Sequence, residues 1–445
     1  MDKTIDDYVR ALDLDAYLVG GAVRDELRGI DSKDADFLVP GVDVEGLRSA
    51  LEPHGRVEDL VVADRLVGVR LHPRDRAVRA LAPAGIEFAP PREEQSTGPG
   101  RHDFVIVANP NLSVEDDMRR RDFTVNAMAR RLADGTLVDP LGGRADLERG
   151  ILRTVSPRSF QEDPLRIVRG LRFVSQLGLD PDDDTRRQMR EEAPAVRLVS
   201  GERLGDETAK LLLGPYPAKA LRLARDTGVL VELLPESRDA IGFEQPSARQ
   251  ELSLDEHIFA VVQATADAGD AVEVRLAALL HDLGKPTNPD PRGHAEVGAA
   301  LAQGALTRLR FPARVIDRVT AIVREHPFRA EDLPRDPAAA RRFLREHGDK
   351  LAFDLAAHRC ADLHGKRRNE AAAAAVERFR ALLEQERSSP HRVADLAVDG
   401  DDLIGLGFRE GPELGRALQV LLDDVVRDPS QNDRTRLLER AKELR

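Results

Sequence analysis

The residues best suited to chemistry lie near the start of the chain: Gly20-Gly21, Arg24, and the carboxylates Asp34 and Asp36. Tyr17-Leu18-Val19 reads as a short buried strand that Gly20-Gly21 ends. Two adjacent glycines carry no Cβ and let backbone amides approach a phosphate closely. Ala22–Leu27 reads as a helix whose N-terminus points at those glycines and favours an anion, with Arg24 in its first turn. Asp34-Ala35-Asp36-Phe37-Leu38-Val39 reads as a returning strand, in which residues two apart share a face. Asp34 and Asp36 then project together, a ready site for Mg²⁺, which prefers oxygen ligands and substrate phosphates. Taken singly, the parts are also an ordinary turn and two surface charges. Strand, Gly-Gly, helix and Asp-x-Asp in succession point instead to nucleotide chemistry. Glu87, on the expected strand Ile86–Ala89, is a candidate third carboxylate or else a solvent-facing edge residue.

Three more constellations follow. Asp122 reads as the cap of a helix in which Val125, Met128 and Ala129 face the core. Arg121, Asp122 and Asn126 would gather at its open end, an arginine, a carboxylate and an amide able to hold a triphosphate and a ribose hydroxyl. Asp163-Pro164 opens the clearest helix, with Ile167, Leu171 and Val174 as its apolar stripe. Asp163, Arg166 and Arg169 recur every three residues on another face, a pattern that by itself reads first as a capped helix with an internal ion pair. Farther on come His257, His281-Asp282 after the apolar run Leu276–Leu280, then His294, His326 and Asp362. Imidazoles and carboxylates suit a transition metal poised to activate water.

The stretch from Leu18 to Asp25 with Asp34-Ala35-Asp36 resembles the active-site signature of polymerase-beta-like nucleotidyltransferases, in the form of the class II tRNA nucleotidyltransferase and bacterial poly(A) polymerase family. Arg120-Arg121-Asp122-Phe123-Thr124-Val125-Asn126-Ala127-Met128 matches that family's next segment, and Asp139-Pro140-Leu141-Gly142-Gly143 the one after it. Glu162-Asp163-x-x-Arg166 is similar to the motif whose carboxylate and guanidinium read the base of the incoming nucleotide, and Gly201-Glu202-Arg203-Leu204 to a supporting helix. His281-Asp282, with a histidine upstream and an aspartate downstream, resembles HD-domain metallophosphohydrolases. The resemblance implies an α+β, mostly α fold: a small polymerase-beta-like mixed sheet, a helical neck and body, and a helical HD domain. It implies that the 3′ hydroxyl of tRNA attacks the α-phosphorus of CTP or ATP and pyrophosphate leaves. Asp34 and Asp36 would hold Mg²⁺; Gly20, Gly21, Arg24, Arg121, Asp122 and Asn126 would bind the nucleotide; Asp163, Arg166 and Arg169 would read its base. His257, His281, Asp282 and Asp362 would form an HD metal shell for Ni²⁺, Co²⁺ or Mn²⁺, with His294 and His326 at a second site or against substrate. CCA addition is the expected activity. A poly(A) polymerase, a CC- or A-adding enzyme, and an HD phosphohydrolase with an inactive head are the alternatives.

Length and composition agree with several helical domains. The chain has 445 residues, enough for two to four domains, and the expected divisions are 1–150, 151–243, 244–390 and a helical tail 391–445. Aromatics are only 4% while Ala, Leu and Arg abound, which favours helix. The single Cys360 forms no internal disulfide, as expected in a reducing cytoplasm. With no long apolar run, neither signal peptide nor membrane span is expected, and the protein should act as a monomer or homodimer. The net charge of −12 argues against nucleic acid only weakly, since Arg119–Arg121, Arg130-Arg131 and Arg166, Arg169 and Arg172 supply local basic stripes. Pro90–Arg101 reads as a mobile loop between the expected strands Ile86–Ala89 and Phe104–Ala108.

Overall fold

The computed structural model describes all residues except 1–3, 31–34, 63–64, 97–103, 245–251, 289, 329–332, 334 and 366–369. Asp34 therefore lies outside the described residues, as does part of the Pro90–Arg101 stretch. The chain divides into two compact units, Met1–Pro235 and Glu236–Arg445.

The first unit is built on β1 (Tyr17–Val19), β2 (Asp36–Leu38), β3 (Gly55–Val62), β4 (Arg65–Pro73), β5 (Ile86–Ala89), β6 (Arg92–Ser96), β7 (Phe104–Ala108), β8 (Ala129–Arg131) and β9 (Leu137–Val138). Seven of these form one mixed sheet in the order β3-β4-β5-β2-β1-β8-β9, with only β2 and β5 parallel. In β2, Phe37 and Leu38 are buried and Asp36 is exposed. Phe37 stacks on Phe88 at 5.5 Å, and the helix Val44–Leu51 lays Leu47 and Leu51 into the same core. Each such fully buried side chain contributes roughly 1.5–3 kcal/mol.

Three sequence expectations are corrected here. Arg92–Ser96 is a strand, not loop, and pairs with Phe104–Ala108 in a separate two-stranded ribbon rather than extending the main sheet. Pro90-Pro91 explains the break: prolines lack the N–H that a central strand must donate, so pairing restarts beyond them. The polar run Arg92-Glu93-Glu94-Gln95 hides a strand with little apolar content. Gly55–Val62, not foreseen, pairs with β4 along its length. Finally, Asp122 opens no full helix. Thr124–Asn126 is a single 3₁₀ turn, and Ala129 already belongs to β8. Tertiary bonds override the helical pattern: Phe123 pairs with Thr154, the Thr124 amide donates to the Arg153 carbonyl at 2.9 Å, and its hydroxyl donates to Asp146 at 2.8 Å.

Beyond this sheet the unit is mostly helical. Helix Leu165–Leu177 buries Ile167, Val168, Leu171 and Val174 and stops at Gly178, whose φ of 71° few side chains tolerate. The second unit packs helix Leu254–Asp267 against Val272–Leu280 and Asp349–Gly365, and Val272–Leu280 against Ala313–Glu325, which in turn packs on Pro291–Arg308. Its last segment forms helices Gly400–Gly405, Pro412–Arg427 and Arg434–Glu443 around Leu403, Phe408, Leu421, Val425 and Leu437. An α+β, mostly helical fold is therefore what the chain adopts. Among the described residues no helix is long and apolar enough to cross a membrane.

Candidate active site and candidate metal centre

A cavity of about 980 Å³ opens in the first unit, between the sheet and helix Leu165–Leu177. Its floor is set by strand register. Asp36 on β2 lies beside Glu87 on β5, and Glu87 lies opposite Arg70 on β4, so acid, acid and base cross three strands on one face. Glu87 is thus well placed as a neighbour of Asp36, but its carboxylate accepts from Arg70 Nε at 3.2 Å.

Gly20 and Gly21 line the same cavity. Gly20 has φ of 69°, and a Cβ there would come within 2.6 Å of an Arg121 guanidinium nitrogen. Glycine is therefore needed twice, for the left-handed backbone and for the close passage of Arg121. Arg24 donates to the Asn126 side-chain oxygen at 2.6 Å, and Arg121 to Asp117 at 3.2 Å and the Asn126 carbonyl at 3.4 Å. The short turn at Thr124–Asn126 thus ties both arginines to one asparagine. Asp122 accepts from its neighbour's amide, from Asn126, and twice from Arg169 at 2.9 and 2.6 Å. Burial pushes the Asp122 carboxyl up, but Arg169 and the hydrogen bonds outweigh it and hold the group below its usual range. Arg169 shows the reverse: burial lowers it, and the attraction of Asp122 more than restores it.

Opposite stand Asp163 and Arg166. Asp163 accepts from the Leu165 amide at 3.0 Å, capping the helix, and from Arg203 at 2.8 Å. Arg166 is buried and donates to the Ser159 hydroxyl at 3.1 Å, Glu162 at 3.0 Å and the Arg120 carbonyl at 3.0 Å. The sequence spacing concealed Arg203, which comes from another helix, and Phe173, whose ring has Arg172 at 4.5 Å, Arg24 at 5.6 Å and Arg169 at 5.7 Å. Burial lowers Arg172, and Glu207, 3.1 Å away, does not fully compensate. The cavity is consequently rich in guanidinium, with Asp36 exposed on its floor, which suits a polyanionic ligand carrying a cation.

A second cluster lies in the second unit, where His257, His281, Asp282, His294, His326, His358 and Asp362 are all buried. Asp282 divides its two oxygens. Oδ2 lies 3.4 Å from His257 and 3.1 Å from His281, and Oδ1 lies 3.4 Å from His294 and 3.5 Å from His326. Asp362 Oδ1 lies 3.2 Å from His257. The histidines are oriented from outside: the Nδ1 atoms of His281, His294 and His326 meet the carbonyls of Ala278, Asp290 and Val323 at 2.9, 3.0 and 2.6 Å. A carbonyl only accepts, so each Nδ1 carries the proton and each Nε2 presents a lone pair inward. Burial pushes His281 down to about 4, which keeps the imidazole neutral. Burial also raises Asp282, but the Lys285 ammonium beside it outweighs this and holds the carboxyl well below its usual range.

The residues fit a metal. His294 and His326 bring two Nε2 atoms within 3.2 Å of each other, beside an oxygen of Asp282. Lone pairs so placed repel unless a cation lies among them, and an edge near 3 Å is what ligands about 2.1 Å from an ion subtend. Donor atoms within 4.8 Å of one another form two triads among the described residues, His257–His281–Asp282 and Asp282–His294–His326. His358 was missed by the sequence reading. Its signal is modest, a histidine one helical turn before Asp362 on helix Asp349–Gly365.

The chain matches the family model for the Poly A polymerase head domain over residues 16–153, that for the Probable RNA and SrmB-binding site of polymerase A over 178–241, and that for the HD domain over 254–397. A relative from Azoarcus sp. (strain BH72), a Multifunctional CCA protein, is 38% identical over 326 residues, which cover 71% of this chain and 74% of the relative. An A-adding tRNA nucleotidyltransferase of Deinococcus radiodurans is 35% identical over 437 residues, 92% and 91% of the two chains. A crystal structure of the Bacillus stearothermophilus CCA-adding enzyme in complex with CTP matches with a TM-score of 0.68 and 27% identity, covering 98% of this chain and 94% of that one. The head and HD domains together imply the use of divalent metal. By sequence, domain order and fold, the chain belongs to the tRNA nucleotidyltransferase family of CCA-adding and A-adding enzymes.

Proposed function

We propose that this enzyme completes the 3′ end of tRNA with CCA, using CTP and ATP. The carrying observation is one cavity in which exposed Asp36 and the Gly20-Gly21 turn face a wall of Asp163, Arg166 and Arg169. The 3′ oxygen of tRNA bonds to the α-phosphorus as the bond to pyrophosphate breaks. Asp34 and Asp36 would hold Mg²⁺, which when bound lowers the pKa of the attacking hydroxyl and neutralises the leaving group. Arg24 and Arg121 take the triphosphate charge, exchanging their bonds to Asn126 and Asp117 for phosphate oxygens. Asp163 and Arg166 offer an acceptor and a donor to the base edge, so selection needs no nucleic-acid template.

A second reading, addition of the terminal A alone, is favoured by the A-adding Deinococcus relative, which matches nearly the whole chain. Incubation with tRNA lacking all or part of its CCA end, with CTP and ATP separately and together, decides between them. CCA addition predicts product ends that grow by C, C and A, with growth from the bare end requiring CTP. Extension only of tRNA already ending in CC sinks it.

For the second unit the reading is a metal-dependent phosphohydrolase acting on phosphomonoesters or 2′,3′-cyclic phosphates. Its histidine-rich donor set favours Ni²⁺, Co²⁺ or Mn²⁺ over Mg²⁺. The enzyme is assigned to the cytoplasm, where tRNA and both nucleotides are found, as a monomer or homodimer.

A further inference from the structure

His358 is fully buried in the middle of helix Asp349–Gly365. Among the described residues, neither of its ring nitrogens finds a hydrogen-bond partner. Its ring packs edge-on against His281 at 5.0 Å and against His326 at 5.7 Å, one histidine from each metal-binding triad. It belongs to neither triad, since its nitrogens do not converge with those donor atoms. A buried polar group without a partner is destabilising, whereas leucine or phenylalanine in the same space carries no such cost. The unmet donor and acceptor therefore belong to a state in which something else enters the cluster. An ion seated in either triad takes the Nε2 lone pairs of its own histidines and leaves His358 unanswered. An oxygen held between the two triads answers it, because His358 touches a histidine of each.

We propose that His358 hydrogen-bonds a phosphate oxygen held by the metal-loaded HD centre, making it a substrate-binding residue rather than a metal ligand. This rests on the phosphohydrolase reading of the second unit. A neutral imidazole offers one N–H and one lone pair, so the N–H donates to the anionic oxygen.

The test uses the full chain, stripped of metal and reloaded with Mn²⁺ or Ni²⁺, with inorganic phosphate as the probe in calorimetry. His358→Phe and His358→Leu should bind metal with the parent's stoichiometry and within about threefold of its affinity. They should bind phosphate about tenfold or more weakly, as expected for loss of a hydrogen bond to a charged group. His358→Gln, whose amide can reach where a ring nitrogen lies, should recover most of that binding. The metal-free melting temperature of His358→Phe or His358→Leu should equal or exceed the parent's, because an unsatisfied polar ring has been removed. Unchanged phosphate binding in both apolar variants overturns the proposal, as does a loss of bound metal, which would make His358 a ligand. Glutamine behaving no better than phenylalanine overturns it too. A parent that binds metal but no phosphate defeats this inference while leaving the metal centre standing, whereas a parent that binds no metal defeats the phosphohydrolase reading itself.

Discussion

The two sites solve opposite electrostatic problems. In the cavity of the first unit, cations are in surplus and the protein neutralises them internally: Arg169 by Asp122, Arg203 by Asp163, Arg166 by Glu162 and two oxygens. In the second unit acceptors are in surplus, and inward lone pairs of His294 and His326 face each other. A ligand entering the first site must displace protein partners, which lowers net affinity and makes each hydrogen bond a test of the ligand. A cation entering the second relieves repulsion, sharing Asp282 Oδ2 with Lys285 in one triad and meeting the other oxygen, Oδ1, beside His294 and His326 in the second. Under the proposed function, the first arrangement would serve discrimination among similar nucleotides and the second retention of an ion.

The largest expected effect tests whether the sites are chemically separate. Asp36→Asn removes a charge from the floor of the first cavity and should lower nucleotide incorporation by about a hundredfold or more with the fold intact. Hydrolysis by the second unit should be unchanged, because the sites share no residue. Initial rates of both reactions on one preparation check this, and near-normal incorporation would remove Asp36 from the metal site. The reciprocal change, His281→Ala with Asp282→Ala, should abolish hydrolysis in every metal and spare incorporation. After chelation, Mg²⁺ alone should restore incorporation, and Mn²⁺, Co²⁺ or Ni²⁺ should be needed for hydrolysis. A double variant that still hydrolyses would detach the activity from this cluster.

How much could be read beforehand differs between the sites for a physical reason. Gly20-Gly21, Arg24 and Asp36 fall within one strand–turn–helix–strand unit, so local periodicity places them together. The helix expected after Asp122 failed because Thr124 is held by Arg153 and Asp146, contacts invisible in a local window. Arg203 was legible only as part of a supporting helix, since its pairing with Asp163 spans 40 residues. In the second unit His281-Asp282 is a compact signal, yet its partners lie on four other segments. His358 stayed hidden among alanines, because a lone histidine on an apolar helix face is more often packing than chemistry.

A smaller effect sharpens the claim that the first site discriminates by exchanging partners. Asp163→Ala removes an acceptor from the cavity and also releases Arg203. Discrimination among CTP, ATP, UTP and GTP should fall before the overall rate does, with the ratio of kcat/KM between correct and wrong nucleotides shrinking about tenfold. Equal slowing of all four would reduce Asp163 to the helix cap that its bond to the Leu165 amide already makes it.

The smallest effect probes the dryness of the second unit through Cys360. It lies on the helix of His358 and Asp362 but two residues from each, so it faces away from the cluster, into a core with Ala340, Leu344, Val376 and Phe379. Burial, and next the hydrogen bond to Glu377 at 3.1 Å, push its thiol up to about 12. The thiolate is the reactive form, so at pH 8 only about one molecule in ten thousand carries it, against roughly a quarter of an unperturbed thiol. An alkylating reagent should therefore modify the native protein at least a hundredfold more slowly than the urea-unfolded chain, with the rate rising about tenfold per pH unit between 8 and 10. Chelation should leave that rate within about twofold, because the core behind Cys360 does not depend on the ion. A tenfold acceleration on metal removal would mean that this helix is ordered only around its metal, and the retention attributed to the second site would then be coupled folding rather than a preformed set of lone pairs.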